Sequence, residues 1–146
     1  MGIRPLVDVV TVGWGLITYD SCQGHIYTGT DLPPAERRIG ILPRHHNEYA
    51  ATAAALCRAV TEASASLPAT VCVLLARSDL TCEATGRVTP VLDLVLRPAA
   101  GRNWTEYFAA VDDATTILAT GLSGERPDAG AECSCALPGP RANDQG

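Results

Sequence analysis

The stretch Val7-Asp8-Val9-Val10-Thr11-Val12-Gly13-Trp14-Gly15-Leu16 decides how the rest of the chain is read. Leu6 to Thr11 is an apolar, largely β-branched run broken by Asp8, the pattern of a strand that carries one acid. Gly13-Trp14-Gly15 follows it, and Leu16 to Tyr19 reads as a second strand. Asp20-Ser21 and Gln23-Gly24 bracket a turn, and His25 to Thr30 alternates as a third strand. Three short strands in succession are expected to pair as an antiparallel meander. Pro33-Pro34 places a loop over residues 31–35, and Arg38 to Leu42 is a short edge strand or an extended lead-in.

Beyond this point the hydrophobic period changes. Asn47 is a good N-cap residue, and Glu48 falls in the first turn, where the helix dipole favours negative charge. Tyr49, Ala53, Leu56 and Val60 recur at helical spacing, and the helix is expected to end before Pro68. Thr70 to Ala76 is continuously apolar, as a strand buried on both faces is, and a βαβ-type crossover would set it parallel to an earlier strand. A short helix is expected within Asp79 to Gly86, a strand at Val91 to Leu96 interrupted by Asp93, and a final helix from Trp104 to Thr120. From Gly121 on, Gly, Pro, Asp, Arg and Ser dominate. The expected organisation is one α/β domain over residues 1–120 and a flexible tail over 121–146.

Composition narrows the class. The chain has 146 residues, enough for one ordinary domain with a real core, and 47% are hydrophobic, which argues against disorder throughout. No apolar run reaches the roughly 18 residues that span a bilayer, and Met1-Gly2-Ile3-Arg4-Pro5 lacks the features of a signal peptide. A soluble, intracellular (cytoplasmic or nuclear) protein is expected. The net charge of −5 argues against a free-standing nucleic-acid binder, because phosphate neutralisation supplies most non-specific affinity. It leaves room for an enzyme whose acids hold metal ions and whose grip on nucleic acid comes from a neighbouring module. All 11 Lys/Arg positions are arginine. Of the six cysteines, Cys57 and Cys72 lie in apolar patterns and read as small core residues. Cys133-Ser134-Cys135 is too tight for a usual zinc half-site and has no second pair.

The carboxylates stand at informative places: Asp8 in the first strand, Glu48 at the start of the first helix, Asp79 after the apolar strand, Asp112 and Asp113 in the last helix. Metal-dependent phosphodiester chemistry needs such a cluster, because two cations about 4 Å apart hold the attacking and leaving oxygens. In order and spacing these segments resemble the ribonuclease H family, in particular the compact form attached to reverse transcriptases of hepadnaviruses and some retroelements. The resemblance rests on Asp8 running into Gly13-Trp14-Gly15, on His46-Asn47-Glu48-Tyr49-Ala50-Ala51 opening an Ala-rich helix, and on Arg77-Ser78-Asp79 after an apolar strand. It covers residues 5–120.

The resemblance implies a ribonuclease H-like mixed sheet, an antiparallel three-strand meander plus parallel strands, flanked by helices. It also implies an endonuclease that cleaves RNA in RNA–DNA hybrids with two Mg²⁺ (or Mn²⁺) ions and works beside a reverse transcriptase or other polymerase domain. Asp8, Glu48, Asp79 and Asp113 would be catalytic, with Asp112 or Asp113 completing the metal shell. The chain departs from the family where Pro98-Ala99-Ala100 replaces a histidine after the last strand, and in the short segment between Asp79 and Val91. The alternative is a catalytically degenerate module of the same fold, acting in protein or nucleoprotein interaction. A third reading is an unrelated small α/β domain that binds a metabolite.

Each residue also has a plainer reading. Asp8 is then a polar residue on an open strand face, Glu48 a dipole-favoured first-turn acid, Asp79 an N-cap, and Asp112-Asp113 a solvated helix face. His45 and His46 are exposed loop residues, Trp14 and Trp104 core anchors, and Arg37, Arg38 and Arg44 a small basic patch on a solvated loop or a nucleic-acid backbone.

Overall fold

The computed structural model of the protein describes residues 2–127. Cys133, Cys135 and most of the expected tail lie outside the described residues. The chain runs α1 (Arg4–Asp8), a π-helical stretch (Val9–Gly13), β1 (Ile17–His25), β2 (Ala35–Leu42), α2 (His46–Ala63), β3 (Val71–Thr81), β4 (Val88–Pro98) and α3 (Trp104–Gly124). The strands form one sheet in the order β1-β2-β4-β3, and every neighbouring pair is antiparallel.

The α/β class and both long helices agree with the sequence reading, but α3 runs past Thr120 to Gly124, into the expected tail. The opening segment does not agree. Val7-Asp8-Val9 is helical, not a strand. Pro5 pre-sets the first helical turn. Ile3, Leu6 and Val10, spaced three and four apart, share one buried face, while Asp8 points to solvent. The β-branched composition suggested a strand, but burial of this face decided the conformation, since propensity is a weak prior that packing overrides.

The expected meander is also absent among the described residues. Leu16 to Tyr19 and His25 to Thr30 are not two strands. Ile17–His25 is one, with a bulge between Thr18 and Asp20. Arg38 to Leu42 belongs to β2, an inner strand paired with β1 and β4. Residues 79–86 hold no helix. β3 continues to Thr81 and turns directly into β4, closed by the Cys82 amide donating to Arg87 O and the Gly86 amide to Cys82 O (2.8 Å each). β3 and β4 are therefore a hairpin, and neither a parallel pair nor a βαβ crossover occurs among the described residues. A continuous apolar run does not distinguish an edge strand from a central one.

The helices cover one sheet face. Arg37, Ile39 and Ile41 of β2 and Leu92, Leu94 and Leu96 of β4 alternate towards them. These apolar side chains join Leu6, Val10, Leu56, Tyr107, Val111, Leu118 and Leu122 in one core. On the other face lie Leu74, Ala76, Ser78 and Leu80 of β3, Asp93 and Val95 of β4, and Arg38 and Gly40 of β2. None of these joins that core, and Leu74 is 40% exposed. The protein is thus a two-layer α/β fold with an open sheet face.

Candidate functional site

The carboxylates singled out in the sequence occupy four separate elements, and most have an arginine partner. Asp8 is exposed on α1 and pairs with Arg4 one turn earlier at 3.5 Å. Asp79 lies within β3 rather than after it, 3.5 Å from Arg77, so it caps no helix. Asp113 is exposed on α3. Among the described residues no three His, Cys, Asp or Glu side chains converge in a way that could hold a metal ion.

Glu48 sits where expected, in the first turn of α2, but the N-cap is His45 rather than Asn47. His45 Nδ1 accepts from the Glu48 amide at 3.2 Å. The Glu48 carboxylate is buried and accepts from the Arg44 guanidinium and the Arg44 amide. Chiefly the side-chain bond to Arg44 holds its pKa below the usual carboxylate range, against an opposing effect of burial. Around this turn Arg44, His45, His46 and Tyr49 face Arg87 and Pro90 across a cleft of about 240 Å³.

Asp112 is engaged most deeply. Arg37 is only 5% exposed. Its guanidinium donates to Asp112 Oδ1 and Thr115 Oγ1 (2.7 Å each), to Gln23 O (2.8 Å) and to Val111 O (3.3 Å). The Gly2 amide also donates to Asp112 at 3.2 Å. Arg37 therefore clasps β1, β2 and α3 together, and it holds the Asp112 carboxyl below its ordinary pKa. Arg37 does not belong to a basic surface patch. Alternation on β2 places it inward and Arg38 outward, where Arg38 pairs with Asp20.

The open face carries a polar cluster that the sequence did not reveal beyond Asp93 interrupting its strand. The bulge in β1 brings Tyr19 over Gly40, where a Cβ would strike the Tyr19 ring. The Tyr19 hydroxyl donates to Asp93 Oδ1, and Ser78 Oγ donates to Asp93 Oδ2 at 2.6 Å. Burial first, then the bond to Asp93, raises the Tyr19 pKa, so the phenol stays protonated. The cluster ties β1, β4 and β3 across the exposed side of the sheet.

No family model, curated protein or solved structure matches the chain.

Trp14 is partly buried, and its indole N–H donates to Leu122 O (3.2 Å) and Glu125 O (3.0 Å), so it caps α3. Trp104 packs edge-on to Tyr107. Cys57 is exposed on α2 and Cys72 only half-buried, so neither is the core residue expected. No helix among the described residues is long and apolar enough to cross a membrane.

Proposed function

We propose that the protein is a non-catalytic α/β module that acts by binding a protein partner on the open face of its sheet. One observation carries this reading: the helices cover one face of the sheet and leave the other as a broad surface of mixed character. There Leu74, Leu80 and Val95 flank the Tyr19–Asp93–Ser78 cluster and the Arg38–Asp20 and Arg97–Glu36 pairs. Antiparallel sheets tolerate a solvated face, normally by making it polar. Here apolar side chains and the Tyr19 ring share the face with paired charges, and a partner would bury the apolar groups and leave the charges at a polar rim. The charge of −5 favours a polypeptide partner over a phosphate-rich one.

Hybrid cleavage tests this against the nuclease reading. The module reading expects no Mg²⁺- or Mn²⁺-dependent cutting of a labelled RNA–DNA hybrid above an Asp8→Asn control, and a melting temperature indifferent to either ion. It also expects a partner chain to co-purify from the native source and to be lost with Leu74→Arg. Cleavage that disappears in Asp8→Asn would restore the endonuclease, with Asp8, Glu48, Asp79 and Asp112 or Asp113 gathering on substrate and metal.

A further inference from the structure

The sheet has two edges of different kinds. β1 carries a bulge, and bulges twist an edge away from further pairing. β3 is an 11-residue strand in unbroken register with β4, and its outer side is unpaired among the described residues. Which backbone groups face outward follows from two hydrogen bonds. Thr70 O accepts from the Ala99 amide, and the Cys82 amide donates to Arg87 O, so even-numbered residues aim their backbone polar groups at β4. The Val71 amide is taken by Pro68 O at 3.0 Å, and alternation leaves the amides and carbonyls of Val73, Leu75, Arg77, Asp79 and Thr81 pointing outward.

We propose that β3 pairs antiparallel with β3 of a second copy, joining the two sheets into one across a twofold axis at Ser78. The charges select this register. Outward groups must meet outward groups, so odd-numbered residues lie opposite odd-numbered ones. With Ser78 on the axis, Arg77 of each copy faces Asp79 of the other, and both ion pairs form. Sliding one step either way sets Arg77 against Arg77 or Asp79 against Asp79, and like charges directly opposite are unfavourable. Within one copy the two side chains meet only at 3.5 Å and stay 64% and 53% exposed, so both are free to turn to a partner. Such exposed pairs add little energy by themselves. Backbone hydrogen bonds and the cover gained by Leu80 against Ala76 supply the affinity, and the charges supply the register. This edge is a different surface from the open face, so the dimer holds whether or not that face binds a partner.

Light scattering and sedimentation of the full chain test the pairing. The wild type is expected to be a dimer. Arg77→Asp or Asp79→Arg alone sets like charges opposite each other twice and should raise the dissociation constant about tenfold or more. The double charge swap should restore the dimer, and mixing the two single variants should form a heterodimer from two weakened partners. A Ser78→Cys variant should link into a covalent dimer on oxidation, beyond the background of the native thiols. Residues opposite each other in a non-hydrogen-bonded pair lie about 4.5 Å apart at Cα, within disulfide range. A monomeric wild type, a dimer indifferent to Arg77→Asp, a mixture that fails to pair, or no Ser78→Cys linkage would each overturn the proposal.

Discussion

Arg37 is the side chain on which most of the molecule converges. Its hydrogen bonds reach β1 and α3 from within β2, and its own amide donates to the Tyr107 hydroxyl at 2.9 Å. Removing one partner of a buried, hydrogen-bonded charge leaves the others unsatisfied, so Arg37→Met should cost about 3–5 kcal/mol in urea unfolding. Asp112→Asn should cost only about 1 kcal/mol, because that side chain is half-exposed and screened. Both Asp112 and Glu48 have folded-state pKa values below their ordinary ones. Their stabilisation is therefore complete above the usual carboxylate range and lost as pH falls through the depressed values. Unfolding free energy should start to decline near pH ~4, less steeply in Asp112→Asn. Tyr19 and Tyr107 are shifted upward, chiefly by burial, so stability should also decline as pH rises past ~10. Thr52 buries a hydroxyl without a hydrogen-bond partner among the described residues. Thr52→Val keeps the shape and removes that penalty, and should raise stability by about 1 kcal/mol, measured by the same titration.

At the scale of elements, two joints hold the layers in place. Trp14, just after the π-helical stretch, donates to Leu122 O in the last turn of α3 and to the carbonyl of its C-cap residue Glu125, where helix-end carbonyls need partners from outside the helix. Trp14→Phe keeps most of the ring and deletes the donor. It should destabilise by about 1–2 kcal/mol and speed amide exchange in the last turn of α3, which hydrogen-exchange mass spectrometry resolves. The second joint is Tyr19 on Gly40. Gly40→Val would push the ring off the sheet and break its bond to Asp93. A loss of about 2 kcal/mol is expected, with the Tyr19 phenol returning towards its ordinary pKa in an ultraviolet titration. Helices α2 and α3 were legible from the sequence because period and length agreed over many turns. Asn103, which caps α3 reciprocally with Glu106, is a local signal of the same kind. The opening helix was not legible, because five residues of α1 give too short a window for the buried spacing of Ile3, Leu6 and Val10 to outweigh a β-branched composition.

For the whole molecule, the distribution of carboxylates is the main finding about chemistry. The order of acids along the chain matched what a metal site needs, but order is a property of sequence and convergence a property of topology. With the strands in the order β1-β2-β4-β3, the acids fall on α1, α2, β3 and α3, and Asp8, Glu48, Asp79 and Asp112 each have an arginine within reach. The same topology leaves one face of the sheet without a helix over it and places β3 at its margin. By itself the sequence determined the α/β class, the two long helices, the strands around Thr70 to Ala76 and Val91 to Leu96, and the absence of an apolar span long enough for a bilayer. These follow from periodicity and local capping, whose physics acts within a few turns of the chain. Only the tertiary structure decided that Val7-Asp8-Val9 is helical, that Arg37 is buried and Asp79 is in a strand, and which strands are neighbours. Those outcomes depend on contacts between segments far apart in the chain, where burying one more apolar face or pairing one more charge outweighs any local preference.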